Sequence, residues 1–402
     1  MRRTLIRLVE VCALKVLLIS SSSGSQGGGE IYLRYLAAGL GQAGCNVKLL
    51  LSDDPTMDQL AREISCTASV LRLPLTNTYR RLSRPFGAVL DVRQRRRVRK
   101  FIDQSDADLV HVNQQVAEDG LDLLLAAHDS GKPIVSTIHI THSAAGLGAR
   151  LGWLRDSLAG FVLSALQPRI ICVSDAAAST MRERSKLSTL DISAIHPAVP
   201  SVDAHALRTA RKNARQDWGV LDEDVVVGAV GRIEPQKNPT LLFDAFSGAA
   251  EALPNLKFVW IGDGSFRSTI EMRARKKGLV DRVIVEGWRD DARFRMAGLD
   301  IFAMPSRFEG LPLALLEAMH AGLAICASDA DGIVEAIAHG RDGLILSTSA
   351  KSVWSNAFCS LARNEALRRS LGEAAREKAS ESYSVSRMAR ETLNLYQRSI
   401  TC

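Results

Sequence analysis

The chain has 402 residues, of which 46% are hydrophobic and 24% are charged, and its formal net charge is +7. This size and composition favour a soluble protein with two cores, and no apolar run in the sequence reaches the length of a membrane span. The seven cysteines show no paired spacing, so the sequence indicates neither a zinc site nor a disulfide framework. We interpret them as reduced cytosolic thiols.

The first ten residues carry charges within their apolar part and show no small-residue cleavage site. We interpret them as a short extension before the first strand and not as a signal peptide. Beyond them, apolar runs typical of strands buried on both faces of a parallel sheet alternate with helical segments. The strands predicted in the first half are residues 15–20, 47–51, 109–112, 134–138 and 170–173, with a helix over residues 31–43.

The second half repeats this alternation, and the prolines of residues 195–200 mark a linker between the two halves. The pattern predicts an α/β protein with two Rossmann-like, doubly wound parallel-sheet domains that face an interdomain cleft. The predicted domains are residues 1–200 and 201–384. The strands predicted in the second half are residues 225–230, 258–261, 283–286, 301–304, 323–327 and 343–346, with helices over 239–252 and 267–277.

The most informative segment places Glu309 and Glu317 on either side of a predicted turn and helix start. Pro312 is predicted in the first helical turn, where proline is tolerated, and Gly310 supplies backbone freedom before it. The amides at this helix start lack intrahelical partners and carry the positive end of the helix dipole. A phosphate receptor flanked by carboxylates suits a nucleoside diphosphate sugar. Taken alone, either glutamate is better explained as a structural residue, because a glutamate near a helix start is usually a dipole partner and one inside a helix is usually solvated.

This segment, residues 305–319, resembles the signature of the retaining family-4 glycosyltransferases, in which seven residues separate two glutamates. Further segments extend the resemblance in order over nearly the whole chain. The resemblance implies a GT-B fold, in which the first domain and a C-terminal crossover helix at 385–402 bind the acceptor and the second domain binds the donor. The further matching segments are residues 230–239, 259–264, 286–291, 329–335 and 383–396.

The resemblance assigns the donor side of the site to the second domain. Arg232 and Lys237 embrace the donor diphosphate, the first as a planar fork and the second as a point charge. Glu309 holds hydroxyls of the transferred sugar, and Glu317 holds the ribose hydroxyls. Gly310 and Leu311 complete the predicted donor site with their backbone amides.

On the first domain, Gly27 and Gly28 match the family's paired glycines, whose backbone amides approach the diphosphate or the acceptor. His139 matches a histidine beside the reacting sugar and is preferred to His142 for that role. His111 is assigned with less weight to the acceptor side. Without the resemblance, a histidine at a strand end is more often a structural residue.

The resemblance also implies retention of anomeric configuration, with the departing phosphate taking the acceptor proton. No metal and no other cofactor is expected, because Arg232, Lys237 and helix-dipole amides can neutralise the developing charge. Two Asp-x-Asp pairs raise the alternative of a metal site. However, Asp106 and Asp108 precede a strand, and Asp329 and Asp331 lie in a loop that has a family counterpart.

Three positions depart from the usual family pattern and leave the sugar specificity open. Asp331 replaces a glycine and brings a negative charge near the predicted diphosphate, so we expect its side chain to point away from the phosphates or toward the sugar. Val334 stands where proline is common, and Asn238 stands where glycine is common.

Most of the excess positive charge lies in the first half of the chain, in a cluster preceded by Arg80, Arg81 and Arg84. On a helix predicted over residues 88–104, the apolar residues Leu90, Val98, Phe101 and Ile102 are placed facing inward. The basic face is either simply solvated or contacts anionic lipid or a pyrophosphate-linked acceptor. No nucleic-acid-binding module or aromatic platform accompanies it, so nucleic acid is not an expected partner. The cluster consists of Arg93, Arg95, Arg96, Arg97, Arg99 and Lys100.

The sequence therefore predicts a cytoplasmic transferase, peripheral on the inner face of a membrane. It would move a sugar from a nucleoside diphosphate sugar to a lipid-linked or polysaccharide acceptor. Two alternatives remain: a sugar-nucleotide epimerase on the same fold, and a non-catalytic nucleotide-sugar-binding partner of another transferase. The presence of Arg232, Lys237, Glu309 and Glu317 favours catalysis, and the nucleobase, the sugar and the acceptor are left open.

Overall fold

The computed structural model describes residues 13–21, 27–81, 83–184 and 186–400. The predicted extension over the first ten residues lies outside the described residues. Two parallel sheets account for the fold. The first contains β1 Lys15–Ser20, β2 Asn46–Ser52, β3 Ser69–Leu73, β4 Leu109–Val116, β5 Ile134–Ile140, β6 Arg169–Cys172 and β7 Ile192–Ala194. The second contains β8 Val225–Val230, β9 Leu256–Ile261, β10 Val283–Gly287, β11 Ile301–Met304, β12 Ala324–Ser328 and β13 Leu344–Leu346.

The strand order is β3-β2-β1-β4-β5-β6-β7 in the first sheet and β10-β9-β8-β11-β12-β13 in the second, and all named pairs are parallel. In both sheets the order reverses beside the first strand in sequence, β1 or β8. A crevice opens at such a point outside the carboxyl ends of the strands, where ligands bind in open α/β sheets. The predicted pair of doubly wound, Rossmann-like sheets is confirmed.

Helices cover both sheets. They are α1 Gly28–Gln42, α2 Asp58–Ser65, α3 Pro85–Leu90, α4 Val92–Gln104, α5 Leu121–Asp129, α6 Gly152–Leu166, α7 Asp175–Arg182, α8 Ala204–Trp218, α9 Pro239–Ala250, α10 Arg267–Lys276, α11 Ala292–Arg295, α12 Leu313–Ala321, α13 Ile333–Ala336, α14 Lys351–Arg363, α15 Glu365–Ser382 and α16 Val385–Ile400. The last of these, α16, packs against α1 of the first sheet. Within the described ranges, no helix has the combined length and apolar character that a bilayer span requires.

Strand β1 shows why these segments form a central sheet. Leu17, Leu18 and Ile19 are fully buried although they point alternately to opposite faces, because helices cover both faces. Two strands escaped prediction, β3 and β7, which are the two edges of the first sheet. Each is short and only partly buried, so neither produces the continuous apolar run by which central strands are detected.

The helix predicted over residues 88–104 is wrong in one respect, because two helices occupy this region. The chain breaks at Asp91, whose Oδ1 accepts a hydrogen bond from the Gln94 amide at 2.9 Å and caps α4. Aspartate favours such a cap because its carboxylate satisfies an amide left without an intrahelical partner. Val98 and Ile102 are buried as predicted, whereas Leu90, at the end of α3, is 76% exposed.

Candidate active site

Glu309 lies on the loop between β11 and α12, and Glu317 lies inside α12, as predicted. Pro312 is the N-cap residue of α12, with φ −75° and ψ 127°, and not a residue of the first turn. The extended backbone of Pro312 turns the chain into the helix, and its carbonyl accepts the Leu315 amide at 3.1 Å. Leu311 is buried in the hydrophobic core, so only its backbone is placed to meet a ligand.

Lys237 and Glu309 form an ion pair. Lys237 follows β8, and its Nζ lies 2.5 Å from Glu309 Oε1. The Lys237 side chain is 17% exposed and that of Glu309 is 9% exposed. The two loops are also joined by their backbones, because the Arg307 amide donates to the Gln236 carbonyl at 2.8 Å. A lysine and a glutamate 72 positions apart are thus held together at the carboxyl edge of the second sheet.

Arg232 follows β8 by two residues and is exposed at the same edge of the sheet. The neighbouring Gly231 has φ 128°, a conformation that favours glycine, and its carbonyl accepts the indole N–H of Trp260 at 2.9 Å. This arrangement fixes the strand end from which Arg232 projects. Lys237 approaches the same strand end, because its Cε would lie 3.5 Å from a β-carbon on Gly231. A guanidinium and an ammonium group at one strand end are suited to binding phosphate oxygens.

Gly310 is needed for a close approach and not for an unusual backbone angle. A β-carbon at this position would lie 2.2 Å from the His139 carbonyl oxygen and 2.6 Å from Val173 Cγ2, both in the first half of the chain. Gly332 has a related role, since a β-carbon there would lie 1.8 Å from the Gly310 carbonyl oxygen. The structure therefore brings the Glu309 loop against the end of β5, where His139 is found.

His139 is held in one orientation. Its Nε2 lies 2.8 Å from Asn113 Oδ1, and its ring packs edge-on against Tyr32 at 4.9 Å between centroids. The Asn113 Nδ2 donates to the Gly29 carbonyl at 3.2 Å, so the Asn113 oxygen faces the histidine and Nε2 carries the hydrogen. Burial lowers the pKa of His139 to about 4. The imidazole is therefore neutral near pH 7.

The other two histidines have different surroundings. His111 is fully buried: its Nδ1 lies 2.5 Å from the Tyr396 hydroxyl and its Nε2 lies 2.8 Å from Thr137 Oγ1. It joins α16 to the first sheet, and its assignment to the acceptor side stays a prediction. His142 is half-buried, with Nε2 3.6 Å from Asp331 Oδ2.

Asp331 points toward the Glu309 loop. Its Oδ2 accepts the Glu309 amide at 3.3 Å, and its backbone has φ 27°, which is unusual for a residue other than glycine. The ring of His142, the neighbour of this carboxylate, packs against Phe308 at 5.6 Å between centroids. The departure from glycine at position 331 thus adds a link between the Glu309 loop and the first sheet.

Glu317 lies at the contact between α12 and α1. The Tyr35 hydroxyl donates to Glu317 Oε1 at 3.4 Å, and Arg34 Nη2 donates to the same hydroxyl at 3.0 Å. Burial raises the pKa of Glu317 to about 7, an increase that Arg293, Arg34 and the Tyr35 hydrogen bond oppose. Tyr35 was not predicted as a site residue, because nothing near it in the sequence indicates that its hydroxyl reaches Glu317 on α12.

Gly27 is the N-cap residue of α1, and Gly28 is the first residue of this helix. The Gly27 amide donates to Glu30 Oε2 at 2.8 Å, and Glu30 is almost fully buried. A β-carbon on Gly28 would meet no atom of the described residues within 4 Å. The Glu30 carboxylate therefore occupies the amide of the N-cap residue of α1.

One group of possible metal ligands occurs among the described residues, formed by Asp175, His196 and Glu335 within 4.8 Å of one another. Glu335 already accepts the amides of Asp175 at 2.9 Å and Ala176 at 2.6 Å, and lies 3.0 Å from His196 Nε2. Although burial acts to raise it, the pKa of Glu335 is lowered, because His196 and these amides stabilise the carboxylate. These contacts identify a link between the second sheet, α7 and the interdomain linker.

A cavity of about 160 Å³ lies on the first-domain side, beside the Glu309 loop. Its lining combines guanidinium groups with small and apolar residues. Arg155 in this lining is paired with Glu118, with Nε 2.7 Å from Oε2. The lining residues are Arg84, Val116, Ala117, Glu118, His142, Ala144, Leu147, Ala149, Arg155, Asp156 and Arg184. A wider groove of about 660 Å³, between β7 and α16, contains none of the predicted site residues.

Family models match both halves of the chain. Residues 26–201 match the model described as Glycosyltransferase Family 4, and residues 210–378 match the model described as Glycosyl transferases group 1. Together the two matches cover most of the chain, in the order expected for two facing domains. The protein belongs to the family-4 glycosyltransferases and has their GT-B fold.

Individual proteins similar to this chain include two bacterial proteins of known name and one solved structure. The chain is 32% identical over 125 residues to the Vi polysaccharide biosynthesis protein VipC/TviE of Salmonella typhi, a match that covers 31% of this chain and only 22% of that protein. It is 24% identical to the Escherichia coli UDP-Gal:alpha-D-GlcNAc-diphosphoundecaprenol alpha-1,3-galactosyltransferase, over 66% of this chain and 69% of that enzyme. Among solved structures, Anabaena Alr3699/HepE in complex with UDP and glucose superposes with a TM-score of 0.77 at 19% identity, over 95% of this chain and 99% of that one.

Proposed function

We propose that the protein is a glycosyltransferase that moves a sugar from a nucleoside diphosphate sugar to a glycan or a lipid-linked acceptor. Its place would be in the biosynthesis of a cell-surface polysaccharide or glycolipid. The observation that carries the proposal is the ion pair between Lys237 and Glu309 at the carboxyl edge of the second sheet, the edge from which the exposed Arg232 also projects. This arrangement combines cations for a diphosphate with a carboxylate for sugar hydroxyls.

On this proposal, residues 201–384 bind the donor. Arg232 and Lys237 hold the diphosphate and stabilise the charge that grows on the departing phosphate. Glu309 accepts hydrogen bonds from the transferred sugar, and Glu317 from the ribose, where an ionised carboxylate is the better acceptor. The amides of Gly310 and Leu311 complete this side.

The proposed reaction retains the anomeric configuration. The bond from the anomeric carbon to the phosphate oxygen breaks while the acceptor oxygen attacks from the same face, and the departing phosphate takes the acceptor proton. His139 is neutral and lies against the Glu309 loop. Because its Nε2 hydrogen is donated to Asn113, its Nδ1 is left to accept a hydrogen bond from a sugar hydroxyl without adding charge. Guanidinium, ammonium and helix amides supply the positive charge, and we propose that transfer needs no added metal.

Residues 1–200, with the C-terminal residues 385–402 that include α16, are proposed to bind the acceptor. The cavity lined by His142, Arg155 and Arg184 lies beside the Glu309 loop and is proposed to receive the acceptor. Glu118 pairs with Arg155, and Asp156 lies 3.9 Å from Arg184, so the lining presents polar groups of both signs. A lipid-linked acceptor is favoured because the Escherichia coli relative acts on a diphosphoundecaprenol substrate, as its name states. Such an acceptor would place the protein on the cytoplasmic face of a membrane.

The first test is thermal stabilisation of the purified protein by a panel of nucleoside diphosphates and their sugars, with and without EDTA. We expect one nucleobase family to raise the Tm, EDTA to leave the shift unchanged, and Glu317→Ala to abolish it. A ligand at 100 times its Kd stabilises the folded state by about 2.7 kcal/mol, which is readily measured. If no nucleotide changes the Tm, the proposed donor site is wrong.

The alternatives require a second measurement. A non-catalytic partner would bind the nucleotide sugar without releasing nucleoside diphosphate, and an epimerase would change the sugar without releasing it. Release of nucleoside diphosphate in the presence of membrane extract, abolished by Lys237→Met, supports transfer over both. Retention is tested separately from the anomeric configuration of the isolated product by NMR.

A further inference from the structure

Helix α6 presents large apolar side chains to solvent. Trp153 is 65% exposed and Phe161 is 67% exposed, while Leu151, just before the helix, is 57% exposed. Positions 153, 157 and 161 are four residues apart and share one face of the helix. On the opposite face, Ala159, Val162 and Leu163 are buried in the core of the first domain. Clustered exposed apolar residues of this size mark an interaction surface.

Helix α3 continues this apolar surface. Its N-cap residue, Arg84, lines the same cavity as Leu147 and Arg155, which places the start of α3 beside the start of α6. The two helices are in contact. At the other end of α3, Leu90 is 76% exposed and Val92, which begins α4, is 49% exposed. Leu90, which the sequence predicts to be buried, is thus exposed next to the start of the basic helix α4.

Exposed basic side chains lie on the elements next to these apolar residues. Arg93, Arg96 and Lys100 are exposed on α4, on the face opposite the buried Val98. Arg150 is exposed between the apolar Leu147 and Leu151. Aromatic and basic residues together are typical of proteins that lie in the interface of an anionic membrane, because the rings enter the headgroup region while the cations bind lipid phosphates.

We propose that α3, the first half of α4 and α6, termed here the α3–α4–α6 surface, dock on an anionic lipid bilayer with Trp153 and Phe161 inserted into the headgroup region. A second copy of the chain is disfavoured as the occupant, since the same basic residues would face each other. The cavity that contains His142 opens at the start of α6, so a membrane-borne headgroup would arrive beside the Glu309 loop. The inference deepens the proposed function, because it rests on the acceptor being lipid-linked.

The test measures cosedimentation of the full chain with vesicles of phosphatidylcholine containing phosphatidylglycerol, and with vesicles of phosphatidylcholine alone. We expect binding to the anionic vesicles that weakens as salt increases. Trp153→Ala with Phe161→Ser and, separately, Arg93→Glu with Arg96→Glu should each reduce the partition coefficient by roughly tenfold or more. The matched controls, Met272→Ala and the pair Arg275→Glu with Lys276→Glu, change exposed residues of α10 and should bind like the unchanged chain.

Tryptophan fluorescence provides an independent readout of insertion. Trp218, Trp260 and Trp354 are buried, so Trp153 and Trp288 are the solvent-exposed indoles of the described chain. Insertion should shift the emission to shorter wavelength on anionic vesicles, and this shift should disappear in Trp153→Phe and persist in Trp288→Phe. Unchanged circular dichroism and nucleotide-induced stabilisation in every variant would exclude misfolding.

The outcomes separate this inference from the proposed function. Loss of vesicle binding in both surface variants, with nucleotide stabilisation intact, supports the α3–α4–α6 surface. Vesicle binding that survives both variants, or that never occurs, overturns it and leaves the donor site standing. An effect of Trp153→Ala on sedimentation velocity in the absence of lipid would also overturn it, because the surface would then bind a second copy.

Discussion

The ion pair between Lys237 and Glu309 can be tested by a double-mutant cycle built from Lys237→Met, Glu309→Gln and the double variant. Either single change leaves the partner without its counterion in a site where the two side chains are only 17% and 9% exposed. Exposed ion pairs contribute about 0–1 kcal/mol, whereas breaking a buried pair costs about 3–5 kcal/mol. Because the lysine keeps some access to water, we expect a loss of about 2 kcal/mol for each single variant.

The double variant should lose less than the sum of the singles, with a coupling energy of about 1–2 kcal/mol, because no unpaired charge remains. For domains of this size, about 2 kcal/mol lowers the Tm by roughly 4–8 °C, so ligand-free thermal unfolding resolves the effect. Lys276→Met, which removes an exposed lysine from α10, is the matched control and should change stability by about 0.5 kcal/mol or less.

The same variants separate stability from catalysis. Removing one group that stabilises transition-state charge costs about 10²–10³ in turnover, so Lys237→Met should slow transfer to that extent. The double variant should recover stability but not turnover, since the charge on the leaving phosphate is still not neutralised. If the single variants unfold like Lys276→Met, or if their losses simply add, the pair does not have the role that its geometry indicates.

Three further predictions follow from the interdomain contacts. Gly310→Ala should lower the free energy of unfolding by about 1–3 kcal/mol and slow transfer, because the added β-carbon meets the His139 carbonyl. The control is Gly41→Ala, whose β-carbon would have its nearest neighbour at 3.6 Å, and it should change neither thermal unfolding nor turnover. The raised pKa of Glu317 means that the folded state binds its proton more tightly than the unfolded state, so the free energy of unfolding falls between about pH 4.5 and 7. Glu317→Gln should remove this fall and raise the free energy of unfolding at pH 8 by about 2 kcal/mol, measured by denaturant unfolding. This value is smaller than the full pKa shift implies because the side chain is only half-buried. An unchanged dependence of the free energy of unfolding on pH would refute the prediction. The lowered pKa of Glu335 has the opposite effect, because the ionised carboxylate stabilises the folded state. Glu335→Gln should therefore lower the free energy of unfolding by about 1–2 kcal/mol at pH 7, and the difference should vanish at low pH, where Glu335 of the unchanged chain is protonated. A difference that persists at low pH would contradict the link to His196.

Much of the fold was predictable because central strands and amphipathic helices depend on patterns within a short stretch of chain. The apolar run of β1 and the runs of β8 and β11 identify buried strands, and in a parallel sheet their carboxyl ends must share an edge. That rule places Lys237 and Glu309 at one edge of the sheet, although 72 positions separate them, and the pairing of β8 with β11 brings them into contact. Family resemblance adds the assignment of roles to these residues.

Other features depend on contacts between distant segments and could not be deduced from local patterns. The sequence gives no sign that Tyr35 donates to Glu317, or that His111 is buried between α16 and the first sheet. Gly310 illustrates the difference well, since its sequence position suggests backbone freedom while the structure shows that a neighbouring carbonyl leaves no room for a β-carbon.

The sequence by itself thus determined the alternation of strands and helices, the two sheets and the chemical groups at their carboxyl edges. These follow from hydrophobic periodicity and from the residue types at strand ends, which are properties of neighbouring residues. Only the tertiary structure decided which groups face one another across the two sheets and that Leu90 joins Trp153 and Phe161 in being exposed. Such outcomes depend on packing between segments far apart in the chain, where burial, the pKa and the available space are set by the neighbours that folding supplies.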